Sequence, residues 1–231
     1  MKISILTLFP NLFDGFLTES IIKRAIEKKK VEIEIINFRD FSNSNNNQVD
    51  DTPYGGGAGM VLMCQPIFDA IESIKTSDSI VIMMSPDGIK YNQKYAKKML
   101  DYKHIILLCG HYEGFDERIK SIVDMEVSIG DFVLTGGEIP AMAITDSVVR
   151  LIEGVISSDS LVSESFEDDL LDFPVYTKPA NFRGLTVPDV LLSGDHKKIK
   201  EWRYNARIEK TKAKRKDIMR VMDDESSISK E

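Results

Sequence analysis

Apolar residues fall into short continuous runs that alternate with segments of helical spacing. The runs Lys2–Leu8, Ser79–Met84 and His104–Cys109 have strand length, and their continuous apolar character indicates strands covered on both faces. Thr18–Lys30 places its apolar residues on one helical face, and Val31–Phe38 alternates as a strand. A strand, a helix and a strand in this order predict a parallel pair with a right-handed crossover.

The same alternation continues through the first two thirds of the chain. Further helices are predicted over Tyr91–Leu100, Glu113–Val123 and Ile139–Ile156, and a further strand over Met125–Ile129. The sequence therefore predicts an α/β fold built on a parallel sheet.

The pattern changes after residue 156. From Ser157 to Asp172 there are six acidic residues and no basic one, and the periodicity is lost, so we predict a linker that ends near Pro174. His196–Arg220 holds eleven Lys and Arg against three acidic residues, a net +8, on one or two predicted helices. The predicted organisation is a first domain over 1–156, an acidic linker over 157–175 and a helical domain over 176–231.

The overall charge is acidic but unevenly distributed. The 231 residues carry 30 Lys and Arg and 37 Asp and Glu, a net charge of −7, so that −15 falls outside the basic segment. This balance excludes a uniformly basic coat for nucleic acid but not a local one. Basic residues interleaved with Trp202 and Tyr204 favour RNA or DNA binding over the simpler interpretation, a solvated helix whose Trp anchors the core.

The cysteines and the N-terminus point to a cytoplasmic protein. Only Cys64 and Cys109 occur, without metal-ligand spacing, and we interpret them as reduced thiols. The first apolar run is too short to span a membrane, so no membrane association is expected.

Glycine-bearing loops follow three successive predicted strands. They are Met84–Gly88, Cys109–Arg118 and Ser128–Glu138. Ligands bind outside the carboxyl ends of parallel strands, so the three loops predict one composite pocket whose backbone groups can read an adenine edge. Glycines at strand-to-helix turns also have a purely structural use, which remains the alternative.

A fourth loop, Asp50–Met60, contains four glycines in five residues. Its backbone suits phosphates or the close approach of a substrate, but it matches no nucleotide-binding fingerprint, and a flexible loop is the simpler interpretation.

Several charged residues allow two interpretations. Arg150 is four residues from Asp146, which favours an ion pair on the helix surface. The acidic run from Glu164 to Asp172 is most simply solvated, although one of its carboxylates can act as a general base if the loop folds over a substrate. Glu113 can pair with a ligand cation or cap the following helix.

Six motifs, all in order, resemble one family, the bacterial tRNA (guanine-N1)-methyltransferases of TrmD type. They are VDDTPYGGGAGM (49–60), LLCGHYEGFDER (107–118), SIGDFVLTGGEIPAM (128–142), LLDFPVYTKP (170–179), GLTVPDVLLSGDH (184–196) and Trp202-Arg203. The resemblance runs from Met1 to about Met222.

The resemblance implies a SPOUT fold with a deep trefoil knot, a small all-helical C-terminal domain and a homodimer with the active site at the subunit interface. It implies S-adenosylmethionine as cofactor and methylation of guanine at tRNA position 37. The implied cofactor-binding residues are Met84, Pro86, Gly110, Tyr112, Glu113, Gly114, Ile129, Gly130, Asp131, Phe132, Val133, Leu134, Gly136, Gly137 and Pro140.

The resemblance also implies the catalytic residues. An Arg on the helix after the TGGE turn maps onto Arg150, and the general base maps onto Glu164, where the family more often has Asp. The extra methylene shifts the carboxylate by about 1.5 Å, and Asp168 or Asp169 is the fallback. Activity in the family depends on Mg²⁺, which we expect to be weakly held because the sequence shows no carboxylate cage.

Substrate contacts are implied at the glycine loop and in the C-terminal domain. The residues are Asp50, Tyr54, Gly55, Lys178 (where the family usually has Arg), Trp202, Arg203, Lys212, Lys214 and Arg215. Two other functions remain: an RNA-binding module without catalysis, and a small-molecule enzyme that uses the glycine loop on phosphates.

Overall fold

The structure is a computed structural model that describes residues 1–157 and 164–219. It divides into two compact units, Met1–Ile156 and Ser157–Glu231. The first part of the predicted linker, 158–163, and the chain end 220–231, with Arg220 of the basic segment, lie outside the described residues.

A five-stranded parallel sheet forms the centre of the first unit, in the order β2-β1-β6-β5-β7. The strands of this unit are β1 (Lys2–Thr7), β2 (Glu32–Asn37), β3 (Asp50–Asp51), β4 (Val61–Leu62), β5 (Ser79–Lys90), β6 (His104–Leu108) and β7 (Met125–Ser128). The parallel α/β prediction is confirmed.

Helices cover both faces of this sheet, as the continuous apolar runs predict. They are α1 (Asp14–Thr18), α2 (Ser20–Glu27), α3 (Cys64–Ile74), α4 (Gln93–Met99) and α5 (Glu138–Val149). Along β6, Ile105 and Leu107 pack into one buried cluster with residues of α2 and α5. Ile106 and Leu108 point to the other face and join a cluster with residues of α3.

Two predicted helices are shorter in the structure. Of Glu113–Val123 only a 3₁₀ helix over Glu117–Ile122 forms, because the backbone groups of residues 113, 114 and 116 bond to Met60 and Leu62 instead. The predicted helix Ile139–Ile156 ends at Val149. Beyond it, Ile152 and Val155 still pack against the core, so the apolar spacing outlasts the helix.

Strand β5 is longer than predicted because it contains a bulge. Its pairing with β7 shifts register between Met84 and Ile89, so residues 85–88 leave the ladder and the strand then resumes. At Gly88 an added Cβ would lie 2.4 Å from the backbone N of Val127, which only glycine avoids. Because residues 85–88 favour turns, the sequence predicts the end of the strand at this point.

The second unit combines helices with a small hairpin. Strands β8 (Asn181–Phe182) and β9 (Leu185–Thr186) pair antiparallel, and α6 (Asp189–Leu192) and α7 (His196–Lys214) follow. The expectation of an all-helical domain is therefore wrong, because the turn at Arg183 and Gly184 has positive φ and closes a hairpin. Among the described residues, none of the helices is both long and apolar enough to cross a bilayer.

Candidate active site

A cavity of about 480 Å³ opens at the carboxyl ends of β6 and β7 and beside the bulge within β5. Its walls come from the β5 bulge, the loop after β6 and the loop between β7 and α5, which are the three loops that sequence analysis predicted to form one pocket. The volume is within the range of small-molecule sites.

Glycines bring two of these loops into direct contact. The N–H of Gly137 donates to the carbonyl of Gly110 at 2.9 Å. A Cβ at Gly137 would lie 2.7 Å from the Cα of Cys109, so any side chain there would push the loops apart. The structural use that sequence analysis kept as an alternative is therefore real for this glycine, and it also shapes the cavity wall.

Fourteen of the fifteen residues assigned to the cofactor by resemblance line this cavity. They are Met84, Pro86, Gly110, Tyr112, Glu113, Gly114, Ile129, Gly130, Phe132, Val133, Leu134, Gly136, Gly137 and Pro140. Asp131 is the exception, because its exposed carboxylate points away to Lys90 Nζ at 3.2 Å.

A buried carboxylate that sequence analysis did not single out supports the cavity wall. Glu138 is 3% exposed, and its Oε2 lies 2.9 Å from Nε2 of His111, which lines the cavity. Its Oε1 accepts a hydrogen bond of 2.7 Å from the hydroxyl of Thr7. The three residues come from distant parts of the chain, and no local pattern connects them.

The glycine loop is the tip of a hairpin attached to the cavity. Strands β3 and β4 flank it, with Asp50 paired to Leu62. Tyr54 at the tip is fully exposed, and Gly55 has φ +85°. The backbone of Glu113, a cavity residue, donates to Met60 at 3.0 Å, and this bond places the end of the loop beside the cavity. Glu113 does not cap the following helix, since Asp116 does.

Arg150 follows the last residue of α5. Its N–H donates to the carbonyl of Asp146 at 3.1 Å. It is absent from the described cavity lining, although Pro140 near the start of the same helix is part of that lining. Ten residues of helix separate the two, about 15 Å along the axis.

In the second unit, a cavity of about 500 Å³ brings Lys178 and Arg203 together with apolar side chains such as Val175 and Leu191. The guanidinium of Arg203 lies 4.7 Å from the centre of the Phe173 ring. Both cations belong to the predicted substrate contacts.

The other predicted contacts of this unit lie on α7 and at its end. Trp202 is half-buried, and Lys212 and Lys214 are exposed. Arg215 differs, because it forms an ion pair of 2.6 Å with Asp217 and lies over the ring of Phe166 at 5.5 Å.

The described part of the acidic segment, from Glu164 onward, packs within the second unit instead of forming an isolated linker. Leu171 N–H donates to Thr211 Oγ1 at 2.9 Å, and Lys210 Nζ donates to the carbonyl of Asp172 at 2.8 Å. Glu164 is half-buried at the start of this segment. The hydrogen bonds from Arg207 lower the pKa of Asp168.

Comparison with known proteins gives one consistent result. A model of the family described as tRNA (Guanine-1)-methyltransferase TrmD matches residues 1–221. Proteins named tRNA (guanine-N(1)-)-methyltransferase are similar to the chain: one from Malacoplasma penetrans is 60% identical over 94% of the chain and 96% of its own length. One from Mycoplasma capricolum is 53% identical over 96% of the chain and 92% of its own length. One from Bacillus cereus is 52% identical over 95% of the chain and 92% of its own length.

The predicted resemblance is thus confirmed over nearly the whole chain, and it agrees with the parallel sheet and with the cavity at its carboxyl edge. The chain belongs to the tRNA (guanine-1)-methyltransferase TrmD family.

Proposed function

We propose that the protein transfers a methyl group from S-adenosylmethionine to N1 of guanine at tRNA position 37, next to the anticodon. The products are 1-methylguanosine in tRNA and S-adenosylhomocysteine. The observation that carries the proposal is the cavity at the sheet edge, which gathers fourteen of the fifteen residues assigned to the cofactor by resemblance. Membership of the family supports the substrate class.

The lining of the cavity fits this cofactor. Within the described residues, the amides of Val133, Leu134 and Thr135 have no protein acceptor, so they can donate to the nitrogens of an adenine edge. The Glu113 carboxylate is exposed in the same wall and can attract the cationic end of the cofactor. When bound, the cofactor supplies an electrophilic methyl group on a sulfonium.

The chemistry on guanine requires a base and a positive charge. N1 carries a proton at neutral pH, and Glu164 takes that proton as N1 forms its bond to the methyl carbon and the carbon–sulfur bond breaks. Negative charge then develops towards O6, where the guanidinium of Arg150 stabilises it. These roles come from the family resemblance and from the chemistry of the two side chains.

The fallback bases differ in their surroundings. Asp168 accepts hydrogen bonds from Arg207, and its lowered pKa makes it a weaker proton acceptor than an ordinary carboxylate. This supports Glu164 over Asp168 as the base. Asp169 is kept as the second choice.

We propose a homodimer in which the cavity of one protomer is completed by Arg150 of the other. Two observations support it. Arg150 is about 15 Å along α5 from Pro140, so it does not belong to the cavity in which its own helix begins. Phe132 and Val133 on the cavity rim are 55% and 84% exposed, and a partner surface would cover them.

The remaining parts of the proposal come from the family resemblance alone: the trefoil knot of a SPOUT fold, dependence on Mg²⁺, and a cytoplasmic location. Within residues 1–157 and 164–219 no group of three or more His, Cys, Asp or Glu side chains is arranged around a metal site.

Methyl transfer from labelled S-adenosylmethionine to unmodified tRNA tests the function. We expect wild-type turnover and a loss of 10²- to 10⁴-fold in Glu164→Gln, with tRNA binding retained, because the amide cannot take the proton. Wild-type protein that binds tRNA without turnover would instead indicate an RNA-binding module. Wild-type protein without tRNA affinity would favour a small-molecule enzyme.

A further inference from the structure

We propose that Arg207 is a positioning residue for methyl transfer: it fixes the acidic segment that carries Glu164 on the same helix that presents lysines to tRNA. The inference rests on the proposed function. It concerns contacts within the second unit only.

Arg207 is buried, with 8% of its surface exposed, which is unusual for an arginine on a largely basic helix. Its guanidinium bonds to both carboxylate oxygens of Asp168, with Nη1 to Oδ2 at 2.9 Å. Its Nε donates to the carbonyl of Leu171 at 3.2 Å. This two-pronged geometry fixes direction as well as charge, and lysine cannot reproduce it.

Neighbouring residues on the same face of α7 extend the contact. Lys210 and Thr211 follow Arg207 at i+3 and i+4, so the three side chains lie together. Lys210 bonds to the carbonyl of Asp172, and Thr211 accepts the N–H of Leu171. The acidic segment is therefore held at several points along one helix face.

These contacts reach Glu164 through a compact turn. The N–H of Phe166 donates to the carbonyl of Leu170 at 2.8 Å, and the N–H of Asp172 donates to Ser165 Oγ at 2.9 Å. The two bonds close the segment on itself, so the position of residues 165 and 166 follows that of Asp168 and Leu171. Glu164 immediately precedes Ser165 in the chain, so its position depends on the same contacts.

Exposed residues elsewhere on the helix remain available to RNA. Lys212 is exposed and lies about 140° around the helix axis from Arg207. One helix thus carries both the lysines proposed to hold the tRNA and the Arg207–Asp168 contact, here called the clamp, which holds the segment that carries the proposed base. Once tRNA is bound to α7, Arg207 fixes the position of the carboxylate relative to it.

The experiment compares Arg207→Lys and Asp168→Asn with wild type in methyl transfer. We expect kcat to fall by 10- to 100-fold in both, because a small misplacement of the base is costly, while the Kd for tRNA changes less than twofold. The side chain of Asp168 is half-exposed, so Asp168→Asn removes the charged partner of Arg207 without placing a new group in the protein interior. Arg24→Lys, an exposed arginine on α2, is the matched control and should leave kcat unchanged.

Digestion with a glutamate-specific protease is a second readout that does not require activity. Loss of the clamp should accelerate cleavage at Glu164 and Glu167 at least several-fold in both variants, while circular dichroism stays native. Wild-type kcat and wild-type cleavage in both variants would overturn the proposal, as would an effect on tRNA Kd alone. If the wild type transfers no methyl group, the proposed function fails, and protease digestion still tests the clamp.

Discussion

The Glu138 carboxylate joins His111 and Thr7 beneath the cavity, with 2.9 Å from its Oε2 to the imidazole Nε2. This contact connects the start of α5 to the loop after β6 and to the end of β1. The ring of His111 also packs on Phe9, with 4.5 Å between ring centres. Burying a carboxyl group is unfavourable unless its oxygens have hydrogen-bond partners, so the arrangement depends on all of its members.

Replacing Glu138 should weaken both the fold and cofactor binding. Glu138→Gln keeps the size but replaces one acceptor oxygen with an NH2 donor and removes the carboxylate, so the hydrogen bonds to Thr7 and His111 must reorganise or weaken. We expect the free energy of unfolding to fall by about 1–3 kcal/mol and the affinity for S-adenosylmethionine to fall with it. Urea denaturation and calorimetric titration measure the two effects.

Thr145 on the same helix provides the control. Its hydroxyl is buried and has no hydrogen-bond partner among the described residues. Thr145→Val should therefore leave stability unchanged or increase it, with cofactor affinity as in wild type. Equal losses in the two variants would show that α5 tolerates no substitution and would remove the special role given to Glu138.

Mixed dimers should reveal whether Arg150 acts on the partner's cavity. Gly137→Ala places a Cβ 2.7 Å from the Cα of Cys109 and disrupts the cofactor cavity, whereas Arg150→Met removes the cation. Each variant alone should be inactive. Co-expressed, half of the dimers regain one intact site, so we expect up to about a quarter of wild-type activity.

Size-exclusion chromatography must first show that both variants are folded dimers. If the mixture remains inactive while heterodimers are present, Arg150 serves the cavity of its own protomer, and the proposed arrangement of the interface is wrong.

Neutralising the exposed lysines at the end of α7 should weaken tRNA binding and reduce its salt dependence. Lys212→Gln with Lys214→Gln removes two phosphate contacts, so the slope of log K against log salt should become shallower by about 1.4 to 1.8. Arg215 pairs with Asp217 and should contribute less than either lysine. Binding titrations from low to high salt measure the affinity for tRNA and the salt slope of each variant. An unchanged slope would show that the lysines do not contact the tRNA.

Stability should decrease in mildly acidic solution because of His104. Its ring nitrogens are hydrogen-bonded to the hydroxyls of Ser4 and Ser79, at 2.9 Å each. Burial lowers the pKa of His104 most, and the charge of Lys2 lowers it further. Glu34 and Glu32 oppose this effect. With its folded pKa below the unfolded value of about 6.5, the unfolded chain binds the proton first, so stability is lost as pH falls through that value.

Urea denaturation at pH 7.5 and pH 5.5 tests this prediction. The free energy of unfolding of the wild type should fall from pH 7.5 to pH 5.5, and that of His104→Asn should fall less. The same loss in both proteins would assign the effect to other groups.

Sequence alone predicted the sheet and the cavity because both follow from local patterns. The continuous run His104–Cys109 is typical of a strand covered on both faces, and loops that follow neighbouring parallel strands are expected to lie at one edge of the sheet. Asp131 does not line the cavity although its neighbours in the motif do, because its side chain turns to Lys90.

Contacts between distant segments were beyond sequence analysis. Arg207 and Asp168 are 39 residues apart, and each has an ordinary solvated interpretation in its own segment. Likewise, the bonds of Glu113 and Asp116 to the chain around β4 prevented the predicted helix from starting at residue 113. Such pairings depend on the tertiary fold and leave no periodic pattern in the chain.

Identification of the methylated atom tests the central claim most directly. Unmodified tRNA is incubated with the protein and labelled S-adenosylmethionine, digested to oligonucleotides and nucleosides, and analysed by mass spectrometry. The account predicts 1-methylguanosine at position 37 and no label elsewhere. Label on another base, on another atom of guanine, or absent from tRNA altogether would contradict it.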